Sequence, residues 1–228
     1  LFKILSVLIL FICIFTLYAK SQKKQTDISN HWAQDYIINM INKEIMKTYD
    51  NNTFKPERPI TRGEFAVALA KQLHFNPVNV RNFSDLEGYY GQKLINSLAE
   101  KNIISGYPDG SFKPKKNVTR AETIAILIKA LGIRKEEEII NLEKYNPYND
   151  IDQEYWGAKE IKIGRRLGII ADNSEVFKPK SFTTRAEAAR YLNKISDLKG
   201  VSGYITDIYP TSQKISVNLS NGERKIYD

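Results

Sequence analysis

Thr119-Arg120-Ala121-Glu122 recurs in this 228-residue chain as Thr61-Arg62-Gly63-Glu64 and as Thr184-Arg185-Ala186-Glu187. Other landmarks keep step with it. Asp27, Asp85 and Asp150 each lie 34 residues before their threonine, and Phe54-Lys55-Pro56, Phe112-Lys113-Pro114 and Phe177-Lys178-Pro179 each begin 27 residues after that aspartate. Three landmarks in register through three copies establish an internal repeat.

Thr-x-x-Glu followed by an apolar run is a capping box at a helix start. The threonine hydroxyl accepts from the third helical N–H, and the glutamate reaches back to the threonine N–H. Capping accounts for the threonine and the glutamate but not for the arginine between them, since an acidic residue there would suit the helix dipole better. Arg62, Arg120 and Arg185 therefore point to a ligand-binding role, with a salt bridge between repeats as the alternative. A helix N-terminus would add its own attraction for an anion. Arg120 is expected to matter most, because the second copy keeps every surrounding motif.

Outward from this stretch, each copy reads as helix, loop, helix. In the first, Tyr36, Ile37, Met40 and Ile41 share a helix face. Tyr49-Asp50-Asn51-Asn52 is a turn by composition. Phe54-Lys55-Pro56 reads as short and extended, because proline disfavours the helical region for its predecessor. The second copy has the strong turn Gly106-Tyr107-Pro108-Asp109-Gly110 and a second helix apolar nearly all round, as a buried helix is. In the third, Arg190 and Asn193 interrupt the apolar face of the second helix, which is expected nearer the surface. The boundaries are 26–76, 83–134 and 148–196. A longer link between copies two and three carries Glu136-Glu137-Glu138, expected as a solvated surface segment.

Hydrophobic content of 42% and charged content of 26% are those of a globular protein, and a net charge of +8 favours a polyanionic partner. Cys13 is the single cysteine, so an intrachain disulfide is excluded. Residues 1–21 read as an export signal or N-terminal anchor, with Lys3, an apolar run from Ile4 to Ala19, and Ala19-Lys20-Ser21 as a cleavage site. The run is short for a membrane span. Export argues against a nucleic-acid partner, and membrane contact is expected only through this segment if it is uncleaved. Residues 200–228 change character: Val201–Tyr209, Lys214–Leu219 and Glu223–Tyr227 read as strands, with Asn221-Gly222 as a hairpin turn. They either pack on the repeats or begin a further β domain.

The order Phe/Tyr-x-Asp, aromatic pair, helix, Gly-Tyr-x-Asp-Gly-x-Phe-x-Pro, Thr-Arg-Ala-Glu, helix resembles the S-layer homology domain. The second copy carries it as Phe83-Ser84-Asp85, Gly106 to Pro114, and Thr119 to Glu122. The resemblance covers about Asp27 to Ile195. Copies one and three depart from it in lacking the Gly-Tyr-x-Asp-Gly turn, and copy one has Gly63 for the family's alanine. The resemblance implies a mainly α fold in which three helix-loop-helix repeats form a pseudo-threefold prism, here followed by a short C-terminal β segment. It further implies that grooves between repeats bind secondary cell-wall polysaccharide, often bearing pyruvate ketals. Such a protein is held non-covalently on the wall of a bacterium, usually Gram-positive.

The side-chain chemistry fits that implication. A pyruvate ketal presents a carboxylate, and arginine grips a planar carboxylate in bidentate fashion. Trp32, Tyr90 and Tyr155, each five residues after its aspartate, are placed to stack on a sugar ring or to pack beneath the first helix. Asp27, Asp85 and Asp150 either accept from sugar hydroxyls or hold turns. Gly106 completes the candidate ligand-binding set. His31 and His74 are too few and too far apart to suggest a metal site, and no cofactor or catalytic residue is expected. The competing reading, a cell-wall glycan hydrolase or an accessory module of one, would draw its paired carboxylates from the same repeats, where capping already occupies the glutamates.

Overall fold

A computed structural model describes residues 26–80, 83–132, 146–171 and 174–199, together with three strands beyond them. The expected export signal and most of the acidic link lie outside the described residues. Among the described residues six α-helices form the body: α1 (Gln34–Asn42), α2 (Arg62–Gln72), α3 (Gln92–Glu100), α4 (Arg120–Leu131), α5 (Ala158–Arg166) and α6 (Arg185–Lys199). Strands β1 (Gly203–Ile208), β2 (Ile215–Leu219) and β3 (Arg224–Tyr227) form an antiparallel sheet in the order β1-β2-β3, as their composition predicts. The fold is mainly α. None of the described helices is long and apolar enough to cross a membrane.

Each repeat supplies two helices, but the tightest helix pairs join different repeats. Helix α2 packs on α3, α4 on α5, and α6 returns to α1. The second helix of each copy thus lies against the first helix of the next, and the third copy closes on the first. The chain just before each capping threonine closes the same ring in hydrogen bonds. Ile60 N donates to Thr183 O (2.9 Å), Thr183 N to Val118 O (3.0 Å), and Val118 N to Ile60 O (3.2 Å). Three equivalent strand-like bridges, Pro59 with Thr184, Thr61 with Asn117 and Thr119 with Phe182, complete this pseudo-threefold junction.

The core follows from that arrangement. Phe65 and Leu69 of α2, Ile124 and Leu127 of α4, and Leu192 and Ile195 of α6 are fully buried. Burying a side chain of this size is worth roughly 1.5–3 kcal/mol. A lone helix pair leaves most of that area wet, so the three copies are mutually dependent.

Two expectations change. Helix α6 does not sit nearer the surface: none of residues 185–196 is exposed. Its polar interruptions find partners instead. Asn193 donates to Tyr36 O (3.1 Å) and accepts from Asn39 on α1, and Arg190 lies over the Trp32 ring and donates to Ile169 O. Nor is the Phe-Lys-Pro lysine extended. Lys55, Lys113 and Lys178 have φ of 54°, 58° and 59°, in the left-handed region. This conformation turns two successive N–H groups toward one point, and an aspartate occupies that point.

Candidate functional site

The three capping boxes form as the sequence predicts. Glu64 N, Glu122 N and Glu187 N donate to Thr61, Thr119 and Thr184 Oγ1, and each glutamate accepts from its threonine N–H. The two N–H groups ahead of each glutamate go to the following repeat. Arg62 N and Gly63 N donate to Lys116 O and Pro114 O, Arg120 N and Ala121 N to Ser181 O and Pro179 O, and Arg185 N and Ala186 N to Arg58 O and Pro56 O. The helix starts are therefore closed by protein carbonyls rather than presented to an anion.

The arginines follow the same path. Arg62 Nη2 donates to Ser105 O (2.7 Å), and its guanidinium lies over the Phe112 and Tyr107 rings at 4.7 and 5.5 Å. Its Nε is buried with no hydrogen-bond partner among the described residues. Arg185 Nε and Nη2 donate to Phe54 O (2.8 Å) and Lys47 O (2.7 Å), with the Phe54 and Tyr49 rings at 4.3 and 5.2 Å. Arg120 Nε donates to Phe177 O (2.8 Å), its guanidinium lies over the Phe177 ring, and Nη1 pairs with Glu187 Oε1. Each arginine thus crosses into the next copy and bridges two repeats. Burial lowers the Arg185 pKa from its usual range without discharging it.

Crossing between copies rearranges which motifs meet. The complete Gly106–Gly110 turn of copy two surrounds Arg62 of copy one. Arg120, expected to be best supported, meets copy three, whose sequence lacks the turn tyrosine. Copy one builds the same turn without its signature glycines. Tyr49 N donates to Thr53 O (2.9 Å) as Tyr107 N does to Ser111 O (2.8 Å), and Asn52, at φ 61°, takes the place of Gly110 at φ 77°. Asparagine is among the few residues that tolerate this region. Tyr49 and Tyr107 therefore hold equivalent turn positions, although neither stood among the sequence candidates; the missing glycines hid the first.

The aspartates are explained by the lysine conformation. Asp85 accepts from Phe112 N (2.7 Å) and Lys113 N (2.8 Å), Asp150 from Phe177 N and Lys178 N (both 2.7 Å), and Asp27 from Phe54 N (2.9 Å) and Lys55 N (2.6 Å). That staple is the physical content of the 27-residue spacing. Gly106 is a close approach: a Cβ there would lie 2.7 Å from both Phe83 Cε1 and Ser111 O. Gly63 likewise makes room for Tyr89, whose hydroxyl would sit 2.4 Å from an added Cβ.

Among the aromatics, Trp32 and Tyr90 are 55% and 72% exposed. Tyr155 belongs to a different ring position. It stands one turn before α5 as His31 and Tyr89 stand before α1 and α3, part-buried against the core. The exposed partner of Trp32 and Tyr90 is Trp156, 60% exposed, which counting five residues from the aspartate misses because copy three has one extra residue before its helix. Burial, reinforced by the Tyr90 hydroxyl, pushes the Tyr89 phenol far above its usual range, so it remains a neutral hydrogen-bonding group at physiological pH.

One groove gathers these parts into a cavity of about 340 Å³. Its wall includes Tyr49 and Glu64 of copy one, Tyr90 and Leu94 of copy two, and Arg185 of copy three. A buried cation, aromatic faces and a neighbouring carboxylate thus line it together. Among the described residues no group of His, Cys, Asp or Glu could hold a metal ion.

Comparison with known proteins finds the same family three times in tandem. The S-layer homology domain family matches residues 26–66, 82–124 and 147–189. Cell surface glycoprotein 1 of Acetivibrio thermocellus is 32% identical over 177 residues, covering 70% of this chain and 7% of that protein. The S-layer protein sap of Bacillus anthracis is 26% identical over 203 residues, 87% of this chain and 24% of its own length. The cellulosome-anchoring protein of Acetivibrio thermocellus is 32% identical over 141 residues, 59% of this chain and 30% of its own length. The chain thus spans less than a third of the length of each of these relatives.

Proposed function

Because the chain belongs to the S-layer homology domain family, we propose that it anchors an exported protein non-covalently to a bacterial cell wall by binding secondary cell-wall polysaccharide in its inter-repeat grooves. The cell-surface, S-layer and cellulosome-anchoring proteins among its relatives support a cell-surface anchoring role on a Gram-positive envelope. The observation that carries the finer reading is the cavity where Tyr49, Tyr90 and Arg185 from three different copies converge. A sugar bearing a carboxylate, such as a pyruvate ketal, fits it. The ring stacks on the exposed Tyr90, and the carboxylate reaches the guanidinium edge. Net charge of +8 adds long-range attraction for an anionic polymer.

The hydrolase reading draws no support from the geometry. The glutamates hold the helix caps and the aspartates hold the turns, so neither set is positioned as a free acid and base pair.

The arginines bridge repeats, so replacing them disturbs folding as well as binding. Tyr90 separates the two effects, since its ring is largely exposed. Tyr90→Ala should leave the melting temperature near that of the parent while weakening wall-polymer binding by about 1–2 kcal/mol, roughly tenfold. Titration of purified polymer with parallel thermal melts tests this. Unchanged affinity in Tyr90→Ala, Trp32→Ala and Trp156→Ala alike would remove the grooves as the binding site.

A further inference from the structure

We infer that the residue three positions before each capping threonine, Arg58, Lys116 or Ser181, decides whether the groove arginine packed against it can take an anion, and that this chain has two competent grooves and one closed. The inference rests on the proposed anion-binding role of the grooves.

The three positions are equivalent in space. Their backbone carbonyls accept from Arg185 N, Arg62 N and Arg120 N respectively, so each stands at the start of the helix whose arginine enters its groove. The partner taken by the neighbouring capping glutamate differs from copy to copy. In copy one, Arg58 Nη2 lies 2.6 Å from both oxygens of Glu64 and holds them, while Arg185 is bonded to carbonyls. In copy two, Lys116 Nζ donates to Tyr107 Oη (3.0 Å), Glu122 accepts from Thr119, and Arg62 donates to a carbonyl. In copy three the position is Ser181, too short to reach a carboxylate. Glu187 Oε1 instead takes Nη1 of Arg120, a pair whose side chains are only 12% and 18% exposed. An incoming carboxylate must displace Glu187, at a cost in affinity of at least about tenfold.

Isothermal titration with a methyl hexoside carrying a 4,6-pyruvate ketal reads the number of competent grooves. The parent chain should bind two. Ser181→Arg, which gives Glu187 the partner Glu64 already has, should bind three, as should Glu187→Gln, which retains the cap without the charge. Arg58→Ser should leave one, because Glu64 is released toward Arg185. Three sites in the parent, or two in Ser181→Arg, overturn the inference while leaving groove binding intact. No binding by any variant counts against this ligand, and the switch is then read without ligand. In Ser181→Arg the arginine side-chain nitrogen NMR signals of Arg120 should move and its guanidinium should rotate faster. Unchanged Arg120 signals overturn the inference.

Discussion

Replacing Asp85 by alanine removes both hydrogen bonds that hold the Phe112-Lys113-Pro114 turn. The bond to Phe112 N, 2.7 Å and part-buried, is to a charged acceptor and is worth about 1.5–3 kcal/mol. The bond to Lys113 N, 2.8 Å and exposed, contributes roughly 0.5–1 kcal/mol because water competes for it. Lys113 sits at φ 58°, which without the staple relaxes and draws Pro114 O away from Gly63 N across the repeat boundary. The total is about 2–4 kcal/mol. At roughly 2–4 °C per kcal/mol for a domain of this size, the melting temperature should fall by about 4–16 °C. Asp85→Asn keeps one acceptor oxygen and should lose about half as much. Calorimetric melts of both variants, with wall-polymer titration alongside, decide the matter. An Asp85→Ala protein that melts within about 1 °C of the parent yet no longer binds polymer would make the carboxylate a ligand group and refute the staple.

The glycines give a contrast within equivalent positions. Gly91→Ala should destabilise by about 1–3 kcal/mol, since its Cβ would lie 2.2 Å from Val67 Cγ2, whereas Gly157→Ala, with its nearest atom at 3.4 Å, should be close to neutral in a thermal melt. Arg185→Lys loses the two-carbonyl bridge to copy one and should lower stability by about 1.5–3 kcal/mol in denaturant unfolding. The Asp109 carboxylate, held near pKa 2 by the Ser111 hydroxyl and N–H and by Lys113, should titrate there by NMR and move upward in Ser111→Ala. Its folded-state pKa is depressed, so its contribution is present above the ordinary carboxylate pKa of about 4 and is lost as pH falls through about 2.

Much of this was legible because the repeat is written in residues with strong local preferences. The capping boxes, the helix faces and the three C-terminal strands follow from short-range chemistry. What escaped was set between copies. Nothing local indicates that Arg62 would meet the copy-two turn, or that the arginines would bond to the next copy's carbonyls. Nor does the periodicity of α6 show that Arg190 and Asn193 would find Trp32 and α1. Asn52 in the left-handed region hid one turn from a search for glycine, and one extra residue in copy three shifted Tyr155 into the inner ring in place of Trp156.

Co-sedimentation with isolated Gram-positive cell walls, before and after chemical extraction of their secondary polysaccharide, tests the anchoring account most directly. The account predicts that the chain sediments with intact walls, is released by free anionic polysaccharide, and stays in solution when the walls are stripped. Equal sedimentation on intact and stripped walls would contradict it.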